Sequence, residues 1–403
     1  MDNGEFASEK EYPKSLFVPS LALLMFIIHI SSAMLSLFLP QIADTFLGSR
    51  DQAAIGLASQ TAAVNSAAEV VLAFAMSILA IRFRHKSLLL LGMVLVVLSN
   101  VGCFFAPDFV TFQAFFAMEG AGSVVVSILA ITLIGDILPF SKKARAVSLF
   151  SAGVYLAVIV GLPSLLFVSN VSGWRSTFLL FGLPVSIAGL VLAHFSIPSR
   201  SHEQQPRAEK SAYIASFKQV LMNKSALACL VGKVVGSASV VALYVLTFYQ
   251  QQLSLSQSWA VGLGLTNAAL FLVGSLSGGR LISRFGAKKV AVTCGLGSGL
   301  LTAAFFNMPT LPLTLAFNFT SVIIGAFAIP AFICLTVDQV PKYRGTLMSL
   351  HRIALNAGEA VGAAVGGVVL VLFSYQVLGL VLGGFAIASA AIFLFLVKQP
   401  TEN

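Results

Sequence analysis

Twelve apolar runs, each long enough to cross a lipid bilayer, constrain this chain more than any other feature. They fall at about residues 16–40, 53–81, 87–106, 109–138, 145–170, 176–197, 225–250, 257–283, 288–308, 311–338, 345–373 and 376–397. A spanning helix needs about 20 apolar residues. Hydrophobic residues make up 58% of the 403 and charged residues 10%, against roughly a quarter charged in a soluble domain. No single soluble core hides that much apolar surface, so the fold class is an all-α membrane protein.

The runs come in two equivalent sets. Residues 77–89 read SILAIRFRHKSLL and residues 279–291 read GRLISRFGAKKVA, so Leu79, Arg82, Phe83 and Lys86 match Leu281, Arg284, Phe285 and Lys288 at an offset of 202. Asp136 and Pro139 match Asp338 and Pro341 at the same offset. An offset of half the chain predicts two pseudo-symmetric six-helix bundles, an architecture in which two halves rock about a shared midplane site.

Basic residues set the expected orientation. Of the 24 Lys and Arg, twenty lie at or near one side, Arg50 and Arg175 lie on the other, and Lys233 and Arg352 lie within spans. Positive charge stays in the cytoplasm, so both termini are expected there. The net charge of +9 is thus read as membrane topology, with no nucleic acid as partner. The expected organisation is a cytoplasmic tail over 1–15, a first bundle over 16–197, a linker with an amphipathic segment over 198–224, a second bundle over 225–398 and a tail over 399–403. The acidic, polar start is no signal peptide, so the first span serves as the targeting signal. Cys103, Cys229, Cys294 and Cys334 sit in apolar runs with no metal-ligand or disulfide spacing and read as buried thiols.

At this point the chain resembles the major facilitator superfamily over nearly its whole length. The family's loop between the second and third spans reads G-x-L-x-D-R-x-G-R-K. The second-half copy keeps Gly279, Leu281, Arg284, Gly286 and Lys288, and the first-half copy keeps Leu79, Arg82 and Lys86. Ile81 and Ser283 replace the motif acid, and Arg84 replaces the first-half glycine. LPQIADTF, GDILPFSKKARA and GWRSTF are further family-like pieces. Within the superfamily the chain is most similar to the drug–proton antiporter branch. Gly153 and Gly161-Leu-Pro163 in the fifth span are a degraded form of that branch's glycine-rich stretch, and Gly358, Gly362, Gly366 and Gly367 form a small-residue row in the eleventh. Close helix packing explains such rows equally well.

Ionisable groups inside spans are the best candidates for function, because a charge in lipid costs about 2.5–3.5 kcal/mol even on the permissive insertion scale. Glu69, Glu119 and Glu359 lie in the second, fourth and eleventh spans. A carboxyl group in a low-dielectric cavity binds and releases a proton near neutral pH, so these are the proton-coupling candidates. Each has a structural alternative, a helix–helix hydrogen bond or an ion pair with Lys233. The resemblance makes the fourth and seventh spans cavity-lining, which favours Glu119 and Lys233. Lys233, His29, Arg352, Tyr244 and Phe248 are the substrate-binding candidates, although His29 reads first as a hydrogen-bonded core histidine. Continuous helical spacing puts residues 233, 237, 240, 241 and 244 on one face of the seventh span. By resemblance, Asp136 with Arg82 or Lys86, and Asp338 with Arg284, are gating pairs that hold the outward-facing state. Their alternative is a solvated surface pair worth under about 1 kcal/mol.

Three functions compete. The first is a secondary transporter of the inner membrane, working by alternating access as a proton-coupled efflux antiporter for a small organic molecule. The second is an importer or exchanger of an organic anion using Lys233 and Arg352. The third is a membrane enzyme or sensor, which the residues support poorly. Gly232-Lys233 lacks the rest of a P-loop and lies inside a span. HExxH, GxSxG and paired His/Cys ligands are absent from the sequence. The expected partners are a small-molecule substrate, protons and the bilayer. No cofactor and no metal is expected, and the chain is expected to act as a monomer.

Overall fold

A computed structural model describes residues 16–138, 140–198 and 210–399. The expected tails over 1–15 and 400–403, Pro139 and linker residues 199–209 lie outside the described residues. Among the described residues the chain is helical, with no strand. In order the helices are α1 (Phe17–Leu47), α2 (Gln52–Arg82), α3 (His85–Phe105), α4 (Phe109–Ile137), α5 (Phe140–Leu156), α6 (Leu162–Ser172) and α7 (Leu183–Ser196). Then come α8 (Lys210–Met222), α9 (Lys224–Ser237), α10 (Val241–Gln251), α11 (Gln257–Phe285), α12 (Ala287–Phe305), α13 (Leu311–Val337), α14 (Arg344–Leu372) and α15 (Tyr375–Phe395). With α5–α6 and α9–α10 each forming one span, these make twelve spans and one extra helix, α8.

Ten of the described spans are long and apolar enough to cross a membrane by length and composition alone. The other two are α2, which carries Gln52, Gln60, Asn65 and Glu69, and the short α12, which opens on Lys288 and Lys289. Large apolar side chains such as Val71, Phe167, Leu276 and Phe395 are exposed on the outer surface. Such a surface suits a hydrocarbon solvent. The chain turns at tight caps. The Asp51 and Asp108 carboxylates accept from the backbone N–H of Ala54 (2.7 Å) and Thr111 (2.9 Å), satisfying orphan donors at the starts of α2 and α4. The Thr111 bond also holds the Asp108 carboxyl below the usual carboxylate range.

Two details differ from the continuous runs expected from sequence. The first span continues through Pro40 to Leu47, well past the expected end at residue 40. The fifth and sixth spans each contain a π-helical turn, Ala157–Gly161 and Phe178–Gly182, and each turn is followed by Leu-Pro. Proline supplies no N–H and its ring crowds the carbonyl four residues back. A widened turn relieves that crowding. Gly161-Leu-Pro163 therefore has a local explanation that Gly182-Leu-Pro184 shares.

The lysines of the duplicated motif do matching work. Lys86 Nζ donates to the Ile197 carbonyl at 2.6 Å, and Lys288 Nζ donates to the Val397 carbonyl at 2.7 Å. Each cation thereby satisfies a carbonyl just past the last span of its own half, where the helix dipole also favours positive charge.

The two halves share one core at only one end. We call the end bearing the 82–86, 142–145, 284–289 and 342–344 loops the basic end, and the other the far end. Toward the far end a single cluster joins Met34, Leu37, Phe38 and Ile55 of the first half to Tyr244, Phe248, Leu370 and Tyr375 of the second. Toward the basic end the buried cores separate, one built from first-half residues such as Leu89, Val126 and Phe150, others from second-half residues such as Val290, Leu335 and Leu347. Among the described residues, every hydrogen bond between the halves also lies toward the far end. Ser36 Oγ donates to Ala242 O (2.8 Å), Gln52 to Leu370 O (2.9 Å), Gln60 to Ala364 O (3.1 Å) and Gln251 to Arg50 O, and Ser59 Oγ lies 3.1 Å from Tyr244 OH. The shared buried core thus lies toward the far end, while at mid-depth the halves still touch, Ile353 against the first-half core and the Tyr155 ring 6.4 Å from that of Phe271.

The seal depends on glycine. A Cβ on Gly362 would stand 2.2 Å from the Ala238 carbonyl oxygen, whereas one on Gly384 would meet nothing within 4 Å. Gly362→Ala is expected to lower stability in detergent by about 3 kcal/mol or more, at or above the usual overpacking range, because rigid backbone has to move. Gly384→Ala is expected to stay within about 0.5 kcal/mol of wild type. Thermal unfolding of both variants checks the contrast. Lys86→Met and Lys288→Met are expected to cost about 1.5–3 kcal/mol each, the range for a charge-assisted hydrogen bond, and to speed amide exchange at residues 194–197 and 394–397 respectively.

Candidate functional site

The site is positioned by α14, which touches α2 on one flank and α9–α10 on another. Gly56 and Gly367 face each other so closely that a Cβ on either would lie 2.5 Å from the other's carbonyl oxygen. With the Gln52–Leu370 and Gln60–Ala364 bonds, this fixes an antiparallel register in which Glu69 is level with Ala354. At 1.5 Å per residue, Arg352 is then about 3 Å and Glu359 about 7.5 Å away along the axis. On the other flank Gly358 abuts the Val234 carbonyl and Gly362 abuts Ala238. That parallel register places Lys233 level with Ala357. Three spans from both halves thus bring Glu69, Lys233, Arg352 and Glu359 to one depth.

These four side chains are half-buried, although each sits deep within its span. Arg352 is the hub. Its charge acts on Glu69, Glu359, Lys233, His351 and His29, and Lys233 and Glu359 also act on each other. Among the described residues none of the four forms a direct ion pair. Arg352 Nε and His351 Nδ1 are buried without a hydrogen-bond partner. Asn356 is fully buried and neither its amide nitrogen nor its carbonyl oxygen has a partner. Residues 352, 356 and 359 follow three- and four-residue spacing and share one face of α14.

Glu119 is placed differently. It is 4% exposed, inside the first half. Ser123 Oγ donates to its Oε1 at 2.5 Å and Asn65 Nδ2 to its Oε2 at 2.9 Å, while the Asn65 amide also donates to Phe116 O at 2.7 Å. Ser31 of α1 is a second hydroxyl beside it. Glu119 therefore occupies a closed, hydrogen-bonded pocket between α1, α2 and α4, and its charge acts on Glu69 one turn from Asn65.

The remaining candidates fall into the seal, the scaffold or the loops. The continuous face expected along the seventh span does not form, because the helix breaks over residues 238–240. Beyond the break Tyr244 is fully buried, and its hydroxyl donates to Ala363 O at 3.0 Å beside Ser59. Phe248 lies in an aromatic cluster with Phe306 at 4.7 Å and Tyr375 at 5.7 Å. Both belong to the far-end seal. His29 Nδ1 lies 3.0 Å from the Met25 carbonyl, one turn back on its own helix. At the basic end Asp136 faces His85 at 3.5 Å. Asp338 pairs with Arg344 at 3.4 Å, whereas Arg284 lies over the ring of Phe285. Lys86 caps Ile197, and the Arg82 side chain lies outside the described residues.

Sequence reasoning missed Asn65, Ser123 and Asn356. Each had a visible signal. Asn65 precedes Glu69 by four residues, Ser123 follows Glu119 by four, and Asn356 lies between Arg352 and Glu359 on one helical face. A polar side chain in an apolar span that shares a stripe with a charge is a candidate partner for it.

Comparison with known proteins fits this architecture. The profile of the Major Facilitator Superfamily matches residues 21–278 and 258–403. The inner membrane transport protein YdhP of Escherichia coli (strain K12) is 27% identical over 352 residues, covering 81% of this chain and 83% of YdhP. The uncharacterized MFS-type transporter YceJ of Bacillus subtilis (strain 168) is 26% identical over 355 residues, covering 87% of each. Among solved structures, a D-xylose–proton symporter superposes with a TM-score of 0.79 at 15% identity, covering 94% of this chain and 97% of the symporter. A twelve-span helical fold and a family match along nearly the whole sequence lead to one conclusion: the chain belongs to the Major Facilitator Superfamily and is a multi-pass membrane transport protein.

Proposed function

We propose that this chain is a proton-coupled efflux carrier for a small organic molecule, an antiporter working by alternating access in the inner membrane. The basic end faces the cytoplasm with both termini, in keeping with the distribution of Lys and Arg. Residues 16–197 and 225–398 are the two rocking bundles, residues 198–224 link them, and one copy of the chain suffices. The observation that carries the reading is the placement of Glu69 and Glu359. Both are half-buried at mid-depth, neither has an ion-pair partner among the described residues, and both lie on the basic-end side of the cluster that joins the halves. A carboxylate in such a place can exchange a proton with one side and be closed off with it. Glu119 accepts one hydrogen bond on each oxygen, from Ser123 and Asn65, and is closed off inside the first half, which makes it a less direct partner for an exchanging proton.

The anion-import reading rests on Lys233 and Arg352. Glu69 and Glu359 lie near the depth of those bases, which leaves less positive charge for an anion to neutralise than Lys233 and Arg352 alone would offer. This supports the efflux reading over anion import. The proton symporter is a precedent for proton coupling on this fold, and YdhP for transport in an inner membrane.

The coupling test uses purified protein in vesicles that enclose a pH-sensitive dye, with a substrate chosen by thermal-shift screening. Glu69→Gln and Glu359→Gln are expected to keep substrate exchange while losing proton movement. Accumulation against a gradient as strong as in wild type would remove both residues from the coupling role. Glu119→Gln is expected to keep the fold. Glu119→Leu is expected to lose about 1–3 kcal/mol for each donor left without an acceptor, read as a fall in Tm.

Alternating access is expected to show as a two-state distance between spin labels at Ser148 and Ser349 changed to Cys, both near the basic end. Substrate or a pH gradient should shift the populations, because a ligand moves such an equilibrium only through its differential affinity for the two states. One unchanging distance under all conditions would rule out rocking at this end.

A further inference from the structure

We infer that the substrate is a small zwitterion of the α-amino-acid type, held with its ammonium group on Glu69 and its carboxylate on Arg352. The inference rests on the transport reading above and adds the charge class of what is carried. Its basis is the juxtaposition of unpaired, opposite charges from the two halves.

Glu69 belongs to α2 in the first half and Arg352 to α14 in the second. The register fixed by Gly56, Gly367, Gln52 and Gln60 sets them about 3 Å apart along the helix axes, and they do not pair directly. Glu359 and Lys233 lie about one turn toward the far end, both in the second half and at neighbouring levels. They can neutralise each other without any ligand. Glu69 has no such neighbour in its own half, because the two basic residues within spans, Lys233 and Arg352, both belong to the second half. Asn356 lies between Arg352 and Glu359, fully buried, with its amide unpartnered. It can accept from an ammonium group and donate to a carboxylate.

While the basic end is open, water can solvate these groups. Closing the halves removes that water, and an unpaired charge then costs several kcal/mol. A neutral ligand leaves both Glu69 and Arg352 to find each other and has to be excluded from the space between them. A simple cation satisfies Glu69 and strands Arg352, and a simple anion does the reverse. A molecule with both charges on one carbon satisfies both and bridges the halves as they close. The repeat argues in the same direction. The positions 202 residues from Lys233, Arg352 and Glu359 are Ser31, Phe150 and Ala157, and the position equivalent to Glu69 is Phe271. A charge set needed only to hold helices together would be expected in both bundles, and this one occurs once.

The experiment uses the full-length protein in detergent and in vesicles. The probes are the fifteen common amino acids with uncharged side chains, each with its α-amide, which is only a cation, and its N-acetyl derivative, which is only an anion. At least one amino acid is expected to raise the Tm and to be moved across the vesicle membrane, with its amide and N-acetyl forms at least about tenfold weaker, a modest value for a desolvated charge pair. In Arg352→Gln the advantage over the amide should vanish, and in Glu69→Gln the advantage over the N-acetyl form should vanish. The wild-type comparison decides the matter even if a variant does not fold. Amides or N-acetyl forms that bind and move as well as the amino acids overturn the zwitterion assignment and leave transport standing. Vesicles that move none of the probes but do move a compound found by thermal-shift screening overturn the assignment alone, whereas vesicles that move no compound that raises the Tm count against the transport reading.

Discussion

The backbone-to-backbone contact between Gly56 of α2 and Gly367 of α14 is the interaction on which the rest of the arrangement depends. It lets two helices from different halves meet at a separation that any side chain would forbid. Helix association in lipid relies on such close packing, since there is no hydrophobic driving force between the helices. The same helix uses Gly358 and Gly362 to seat the broken seventh span. One element thereby sets two registers, one antiparallel and one parallel, and every charged residue at mid-depth inherits its level from them. Packing at the far end decides which charges can meet many ångströms away.

Those charges set what a change of state has to satisfy. Glu69, Lys233, Arg352 and Glu359 are each costly in lipid, and among the described residues none is satisfied by a direct ion pair in this arrangement. Half-burial lowers that cost, because part of each side chain lies outside the packed core. Toward the far end the polar groups between the halves are few, neutral and paired: Ser36, Gln52, Ser59, Gln60, Tyr244. The far-end seal needs little water because the polar groups that face each other across it are bonded to one another. The charges at mid-depth need water, a proton or a ligand, because none has an ion-pair partner among the described residues. A change of state therefore has to exchange water for partners around Arg352 at the same time as it opens the Tyr244 seal.

Much of this was legible in the sequence. Hydropathy gave the spans, since lipid leaves the backbone no alternative to a helix, and the repeated Arg82/Arg284 and Lys86/Lys288 motif gave the duplication. Buried Glu, Lys and Arg were found as isolated letters because charges are rare in apolar runs. Their relations were not legible. Glu119 and Glu69 look alike in sequence, yet Glu119 is enclosed by Asn65 and Ser123, whereas Glu69, one turn from Asn65 on the same stripe of α2, is half-buried and without an ion pair among the described residues. The break after Ser237 was hidden because Ala238, Ser239 and Val240 carry no proline or glycine signal. Its cause is tertiary, since Ala238 lies against the backbone of Gly362. Asp338 meets Arg344 and not Arg284 because the 3-10 turn at Pro341–Tyr343 brings the start of α14 back toward the end of α13.

The duplication separates scaffold from chemistry. Lys86 and Lys288 cap equivalent span ends, and Asn65 and Asn267, also 202 residues apart, each donate to a buried oxygen within their own half. What recurs is what a bundle needs in order to hold its shape. The ion-bearing positions do not recur. Glu69 and Glu119 fall opposite Phe271 and Ser321, while Lys233 and Arg352 fall opposite Ser31 and Phe150. Two rigid bodies of similar shape can rock symmetrically, but a single asymmetric set of charges at their boundary makes the two end states energetically different. In one state the set is solvated from the basic end, and in the other it has to be solvated from the far end or neutralised. A proton on Glu69 and a cationic group beside it are alternative ways of neutralising the same carboxylate, so the two compete. That competition is the physical requirement for exchanging one against the other, and a symmetric duplication of the charges would remove the bias that drives it.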